Sequence, residues 1–211
     1  MYCPLYVKTD YSLLSSLIKV DDLIENLKKK NLTSCAVVDD NLYGTMEIVT
    51  KFRKNGLHPI IGLDLKNILL YVKNEEGYYN LVKIETNKNF NTLNDEVLKK
   101  YSKGLICISF DLENYTKYKD IFSDIFIGVA NKKEEGKFLD YPTVYINKTL
   151  YLEKALYKYL PYVFMIRDGK TISDGLEFIY QDNYLYEKEE VIPKVSSKSI
   201  NNTLKISDMC N

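Results

Sequence analysis

The sequence predicts an α/β fold: a parallel sheet covered by helices and closed into a barrel. Two observations carry this. Short apolar runs alternate with amphipathic segments along the 211 residues, the order that lays parallel strands beneath crossover helices. A count of about seven strand-like runs at this length favours a closed barrel over an open sheet.

The elements follow in order. Val20–Lys30 carries apolar Val20, Leu23, Ile24 and Leu27 at helical spacing, with Asp21 and Asp22 in the first turn, where the helix dipole favours them. Ser34–Val38 reads as a short buried strand and Tyr43–Asn55 as a helix closed by Gly56. Pro59–Leu63 and Ile68–Val72 read as the next two strands, and Glu75–Glu85 as a helix with Tyr78, Leu81, Val82 and Ile84 mostly inward. Gly104–Ser109, Ile125–Val129 and Thr143–Ile146 supply three more strands. Leu150–Val163 has helical spacing that Pro161 is expected to bend or end. After about Gly169 the pattern breaks down. Val191–Ser199, with Pro193, reads as an extended linker, and Ile200–Met209 resumes helical spacing. The expected organisation is a barrel domain over 1–190, then a linker and helix over 191–211.

Composition excludes several function classes. Lys plus Arg and Asp plus Glu both number 29, and this balance argues against a free-standing nucleic-acid binder. Cys3, Cys35, Cys107 and Cys210 lie too far apart for a zinc or redox motif. The N-terminus lacks the basic and apolar regions of a secretory signal, and no apolar run is long enough to span a bilayer. A cytoplasmic location is the expectation. The 19 tyrosines are spread along the chain, as genome-wide codon bias would leave them, and do not cluster into a stacking surface for single strands.

Six segments in order resemble one family. Tyr6-Val-Lys-Thr-Asp-Tyr-Ser-Leu-Leu14 is similar to a His-x-His-Thr-x-Tyr-Ser-Leu-Leu signature, and Val37-Val-Asp-Asp-Asn-Leu-Tyr-Gly44 to a Thr-Asp-His-Gly-Asn-Leu-Phe-Gly turn, one residue shorter here. Asn55–Gly62 contains the Pro-Ile-Ile-Gly strand. Lys73–Ile84 contains the Gly-Tyr-x-Asn-Leu helix. Ile166–Asp174 and Asn202–Asn211 complete the set. Together they resemble the N-terminal PHP (polymerase and histidinol phosphatase) domains of bacterial DNA polymerase III alpha subunits. That resemblance implies a distorted (β/α)7-like barrel with a cluster of divalent ions at the C-terminal ends of the strands, a phosphate-ester hydrolase where the cluster is intact.

Carried over residue by residue, the resemblance places the ligand positions on groups unsuited to metals. The first pair falls on Tyr6 and Lys8, and an ammonium has no lone pair to offer. The next falls on Asp39 or Asp40, then Asp64, Asn67 and Asp111. The last pair falls on Lys148 and Leu150. His58 is the single histidine, so a His-rich site cannot be built, and no Cys/His or Ser/His nucleophile system is evident. The expectation is that Lys8 and Lys148 replace the metals electrostatically, pairing with some of Asp39, Asp64 and Asp111.

The resemblance therefore implies a domain without catalytic residues, metal or cofactor of its own. Its role would be a structural and interaction scaffold in DNA replication. The parent chain would be a DNA-directed DNA polymerase using magnesium. Its partners would be the polymerase palm and thumb and, in some relatives, a proofreading exonuclease subunit, with DNA contacted through the parent protein. The alternative is a metal-dependent phosphoesterase or 3′–5′ exonuclease working on the surviving aspartates.

Overall fold

The computed structural model describes residues 1–175 and 177–211. Six apolar runs become strands: β1 (Ser34–Asp39), β2 (His58–Asp64), β3 (Ile68–Val72), β4 (Leu105–Ser109), β5 (Asp124–Val129) and β6 (Thr143–Tyr145). They lie side by side in chain order in one curled sheet that forms a half-barrel. The expected seventh strand is represented by the segment around Val7, which makes parallel bridges to both Val37 and Thr149. This segment joins β1 to the chain that follows β6.

The sheet is not wholly parallel. β1 and β2 pair parallel, as do β4, β5 and β6, but β3 runs antiparallel to both its neighbours. Only Leu65, Lys66 and Asn67 separate β2 from β3, a turn in which Lys66 takes a left-handed φ of 71°. A parallel return needs a crossover of about a dozen residues or more, so a connection this short can only make a hairpin.

Alternation along the strands divides the core. One face brings Ala36, Val38, Ile60, Leu69, Tyr71, Ile106, Ile108, Phe126, Val144 and Ile146 into one cluster with Leu5 and Tyr6. Residues of all six strands meeting together mark the concave side of a curled sheet. The opposite face splits in two. Its first cluster packs against α1 (Val20–Lys29) and α2 (Thr45–Lys54), and its second against α3 (Glu75–Asn89), α4 (Asp95–Lys100) and α5 (Leu112–Tyr118). Asn74, Asn94 and Asp111 cap α3, α4 and α5 by accepting the backbone N–H three residues on, as Asn131 does for α6 (Lys132–Glu135). Part of the asparagine content is therefore helix punctuation.

The C-terminal quarter differs from expectation in two places. Pro161 does not end a helix: a 3-10 turn covers Lys154–Tyr159, and Pro161 lies in the first turn of α7 (Leu160–Arg167), where its missing N–H has no partner to lose. Val191–Ser199 is not extended either. It is bracketed by α8 (Lys188–Val191) and α9 (Ser197–Met209), with Val191 and Val195 buried. α9 packs along β6 and sends Ile206 into the concave core, with Cys210 following it there.

Glu135 fixes the start of α9. Its carboxylate accepts the Ser196 N–H at 2.8 Å and the Ser199 hydroxyl at 2.6 Å, and also the Ser196 hydroxyl. Burial works to raise the Glu135 carboxyl, but these donors outweigh it and hold the group below its ordinary value. Its stabilisation is therefore complete above about pH 4.3 and is lost as pH falls through the lower folded value. Glu135→Ala is expected to cost about 2 kcal/mol at pH 7 and to speed amide exchange in α9 first. Urea midpoints and hydrogen exchange check this, and unchanged exchange in α9 would refute it.

Candidate functional site

The parallel strands β1 and β2 end on aspartates, Asp39 and Asp64. The Val7 bridge sets Tyr6 and Lys8 beside them, and the chain after β6 adds Lys148 and Leu150. Ligand sites of α/β folds gather at such C-terminal strand ends. Here they form a cavity of about 300 Å³ lined by Tyr6, Lys8, Asp40, Asp64, Lys66 and Lys148 below, with Phe164, Arg167 and Tyr180 over it.

Lys8 occupies the centre. Its side chain is 2% exposed, and its Nζ lies 2.6 Å from Asp40 Oδ1 and 2.9 Å from Asp64 Oδ2. Asp64 is saturated: Oδ2 also accepts the Tyr6 hydroxyl at 2.5 Å, and Oδ1 accepts the Lys66 N–H at 2.7 Å. Burial pushes the Asp64 carboxyl up, but Lys8, Tyr6 and the Lys66 N–H together hold it below its usual value. Burial, joined by the negative charge of Asp64, drives the Tyr6 phenol far above its usual pKa. Tyr6 is thus a hydrogen-bond donor and not an anionic ligand.

The two adjacent aspartates separate by role. Asp40 reaches Lys8, while its backbone carbonyl accepts the Lys88 ammonium. Asp39 turns away and is held by Thr9 N–H at 2.7 Å, Thr9 Oγ1 at 2.6 Å and Ser12 Oγ at 2.6 Å. Burial raises the Asp39 carboxyl in spite of these donors. Thr9 and Ser12 stand in the Thr-x-Tyr-Ser part of the N-terminal motif, which carried their signal. Lys66, Lys88 and Arg167 gave none, because nothing in local spacing reveals which distant turn or helix meets the mouth.

Three expected positions lie elsewhere or act differently. Asp111 is exposed and caps α5, accepting Asn114 N–H at 2.7 Å and its side-chain amide at 2.8 Å, so the helix start claims it. Asn67 is exposed in the β2–β3 turn, beside a different cavity that includes Leu65 and Leu93. Lys148 forms no ion pair among the described residues; its Nζ sits 5.4 Å from the centre of the Tyr6 ring. Desolvation, reinforced by Lys8, lowers the Lys148 pKa. Leu150 is buried at the cavity wall and offers no donor atom.

The donor set does not fit the divalent cluster that the resemblance implies. No three His, Cys, Asp or Glu side chains converge on one point among the described residues. The carboxylates that do converge, Asp40 and Asp64, face an ammonium that would repel a divalent ion. His58, at the start of β2, buries Nε2 without a hydrogen-bond partner and is not among the cavity-lining residues. No helix among the described residues is long and apolar enough to cross a membrane.

Comparison with known proteins accounts for this layout. The DNA polymerase III alpha subunit of Borreliella burgdorferi is 34% identical over 131 residues, covering 50% of this chain and 11% of the relative. That of Helicobacter pylori is 30% identical over 137 residues, with 54% and 11% covered. That of Streptococcus pyogenes is 30% identical over 138 residues, with 61% and 13% covered. The chain thus spans roughly a tenth of the length of these relatives. A two-domain protein from Bacteroides vulgatus containing a predicted PHP-like metal-dependent phosphoesterase shares the fold, with a TM-score of 0.51 at 10% identity over 69% of this chain and 50% of that one. The profile of the PHP domain matches residues 4–154, and the chain belongs to the PHP domain family.

Proposed function

We propose that this is a PHP domain of a DNA polymerase III alpha subunit whose mouth binds no catalytic metal, hydrolyses nothing, and serves as a structural and interaction scaffold in replication. One observation carries the reading: the buried Lys8 ammonium sits between Asp40 and Asp64, where the relatives' motif has a histidine. A fixed monovalent cation offsets the carboxylates but cannot activate water or stabilise a leaving oxygen as paired metals do. The names of the relatives support placement in a polymerase assembly. On this reading nucleotide transfer with magnesium, contact with palm and thumb, and any docked proofreading exonuclease belong to the larger protein.

The test is metal content and hydrolysis on the 211-residue chain after chelation and manganese reloading. The expected outcome is manganese well below one equivalent and no turnover of a chromogenic phosphate ester above the buffer blank. Stoichiometric uptake with manganese-dependent hydrolysis would replace the scaffold reading with a phosphoesterase.

A further inference from the structure

The mouth carries more positive charge than its own carboxylates answer. Lys8, Lys66, Lys148 and Arg167 line it against Asp40 and Asp64. The inner charges are spoken for: Lys8 is shared by the two aspartates, and Arg167 is held by Asp168, at 2.7 Å from Nε and 3.2 Å from Nη2. Lys66 and Lys148 are left without an ion pair among the described residues. Both also line a second cavity of about 500 Å³, together with Tyr6, Phe110, Gly128, Ile146 and Asn183. They stand on the ridge between the two hollows, so one ligand can reach both.

Neither lysine is placed casually. Lys66 holds a left-handed φ of 71°, a conformation that costs a non-glycine residue about 1 kcal/mol and that glycine adopts freely. Its backbone is pinned there by the Asp64 carboxylate. Lys148 is anchored by its carbonyl, which accepts the Asn183 amide at 2.7 Å, and by the backbone of Thr149 bridging to Val7. Desolvation and the neighbouring Lys8 already press on the Lys148 ammonium, a penalty that a bound anion would relieve.

We propose that this mouth is a metal-independent site for a phosphomonoester dianion, gripped by Lys66 and Lys148, with the esterified group lying in the adjoining hollow against Phe110 and Ile146. Two unanswered ammonium groups match the nearly two negative charges of a phosphomonoester at neutral pH. The polar first hollow suits the phosphate, and the aromatic and aliphatic lining of the second suits an organic group. The site binds and does not cleave, because the groups facing the phosphate offer neither a nucleophile nor a base with a free lone pair directed at it. The inference rests on the metal-free reading above.

Calorimetry at low ionic strength on the 211-residue chain, in the presence of chelator, tests it. The probes are inorganic phosphate, deoxyadenosine, deoxyadenosine 5′-monophosphate and a short oligonucleotide with a terminal phosphate. The monophosphate is expected to bind and the nucleoside not. Lys66→Met and Lys148→Met should each weaken binding about tenfold, while the exposed Lys54→Met should not. Tighter binding of the oligonucleotide than of the mononucleotide would assign the phosphate to a strand end, and the reverse to a free nucleotide. Absence of binding without manganese uptake, or binding indifferent to both lysine variants, overturns the anion site and leaves the scaffold reading standing. Binding that appears only with stoichiometric manganese overturns both.

Discussion

Replacing Lys8 with methionine is expected to destabilise the domain by about 3–5 kcal/mol at neutral pH, the cost of leaving a buried charge without its partner. The unpartnered group is Asp64, which is 5% exposed, whereas Asp40 is 47% exposed and can turn to water. Adding Asp64→Asn to Lys8→Met removes the stranded charge and should recover much of the loss, because deleting both members of a buried pair is far milder than deleting one. The coupling between the two sites, read from a double-mutant cycle in urea, should be large and favourable. The effect should also depend on pH. In the native chain the Asp64 carboxyl is held below its usual value. Its contribution is therefore intact above about pH 3.9 and is lost only on acidification through the lower folded value. Without Lys8, burial would push Asp64 upward, and protonation would relieve the strain. The penalty should therefore be greatest at neutral pH and shrink toward pH 4. A Lys8→Met variant as stable as the parent at pH 7 would show that the ion pair is not structural.

Much of the fold could be read locally, and the failures share a cause. The strand positions followed from short apolar runs, and Val20–Lys29 from its helical stripe and terminal charges. Strand direction did not follow, because apolarity is the same in either sense; β3 is set by the length of the Leu65–Asn67 turn. Pro161 was ambiguous for a similar reason: proline ends one helix and begins another, and only the break at Tyr159 decides between them. In the site, Lys8 and Asp64 were legible through the family motif. Asp111 was lost to it because a carboxylate at a helix start has a nearer use, capping Asn114. Lys66 and Arg167 come from a turn and a helix 100 residues apart, and no periodicity records that they face one cavity.

Gly77→Ala is expected to cost about 3 kcal/mol, although alanine is the better helix former. Gly77 lies in the first turn of α3, within the Gly-Tyr-x-Asn-Leu motif. A Cβ there would stand 1.9 Å from the Gly104 carbonyl oxygen and 2.7 Å from its carbon. The obstacle is backbone and cannot swing aside. Gly104 is fixed in turn: its oxygen accepts the Lys73 N–H at 2.9 Å, and its own φ is +74°. The rest of the motif locks the same contact, with Asn74 capping the Gly77 N–H at 3.0 Å and the Asn80 amide donating to the Lys103 carbonyl at 2.8 Å. In an exposed helix the substitution would gain about 1 kcal/mol from propensity, so the sign of the measured change reports directly on this close approach. Gly56→Ala is the informative control. Its φ is +71° with no atom within 4 Å of the added carbon, so only the conformational cost of about 1 kcal/mol should appear. If α3 is forced outward, Lys88 leaves the Asp40 carbonyl, and the mouth loses a cation from its floor. Monophosphate binding should then weaken together with stability in Gly77→Ala and stay unchanged in Gly56→Ala. Equal stability losses in the two variants would refute the backbone contact as the origin of the motif glycine.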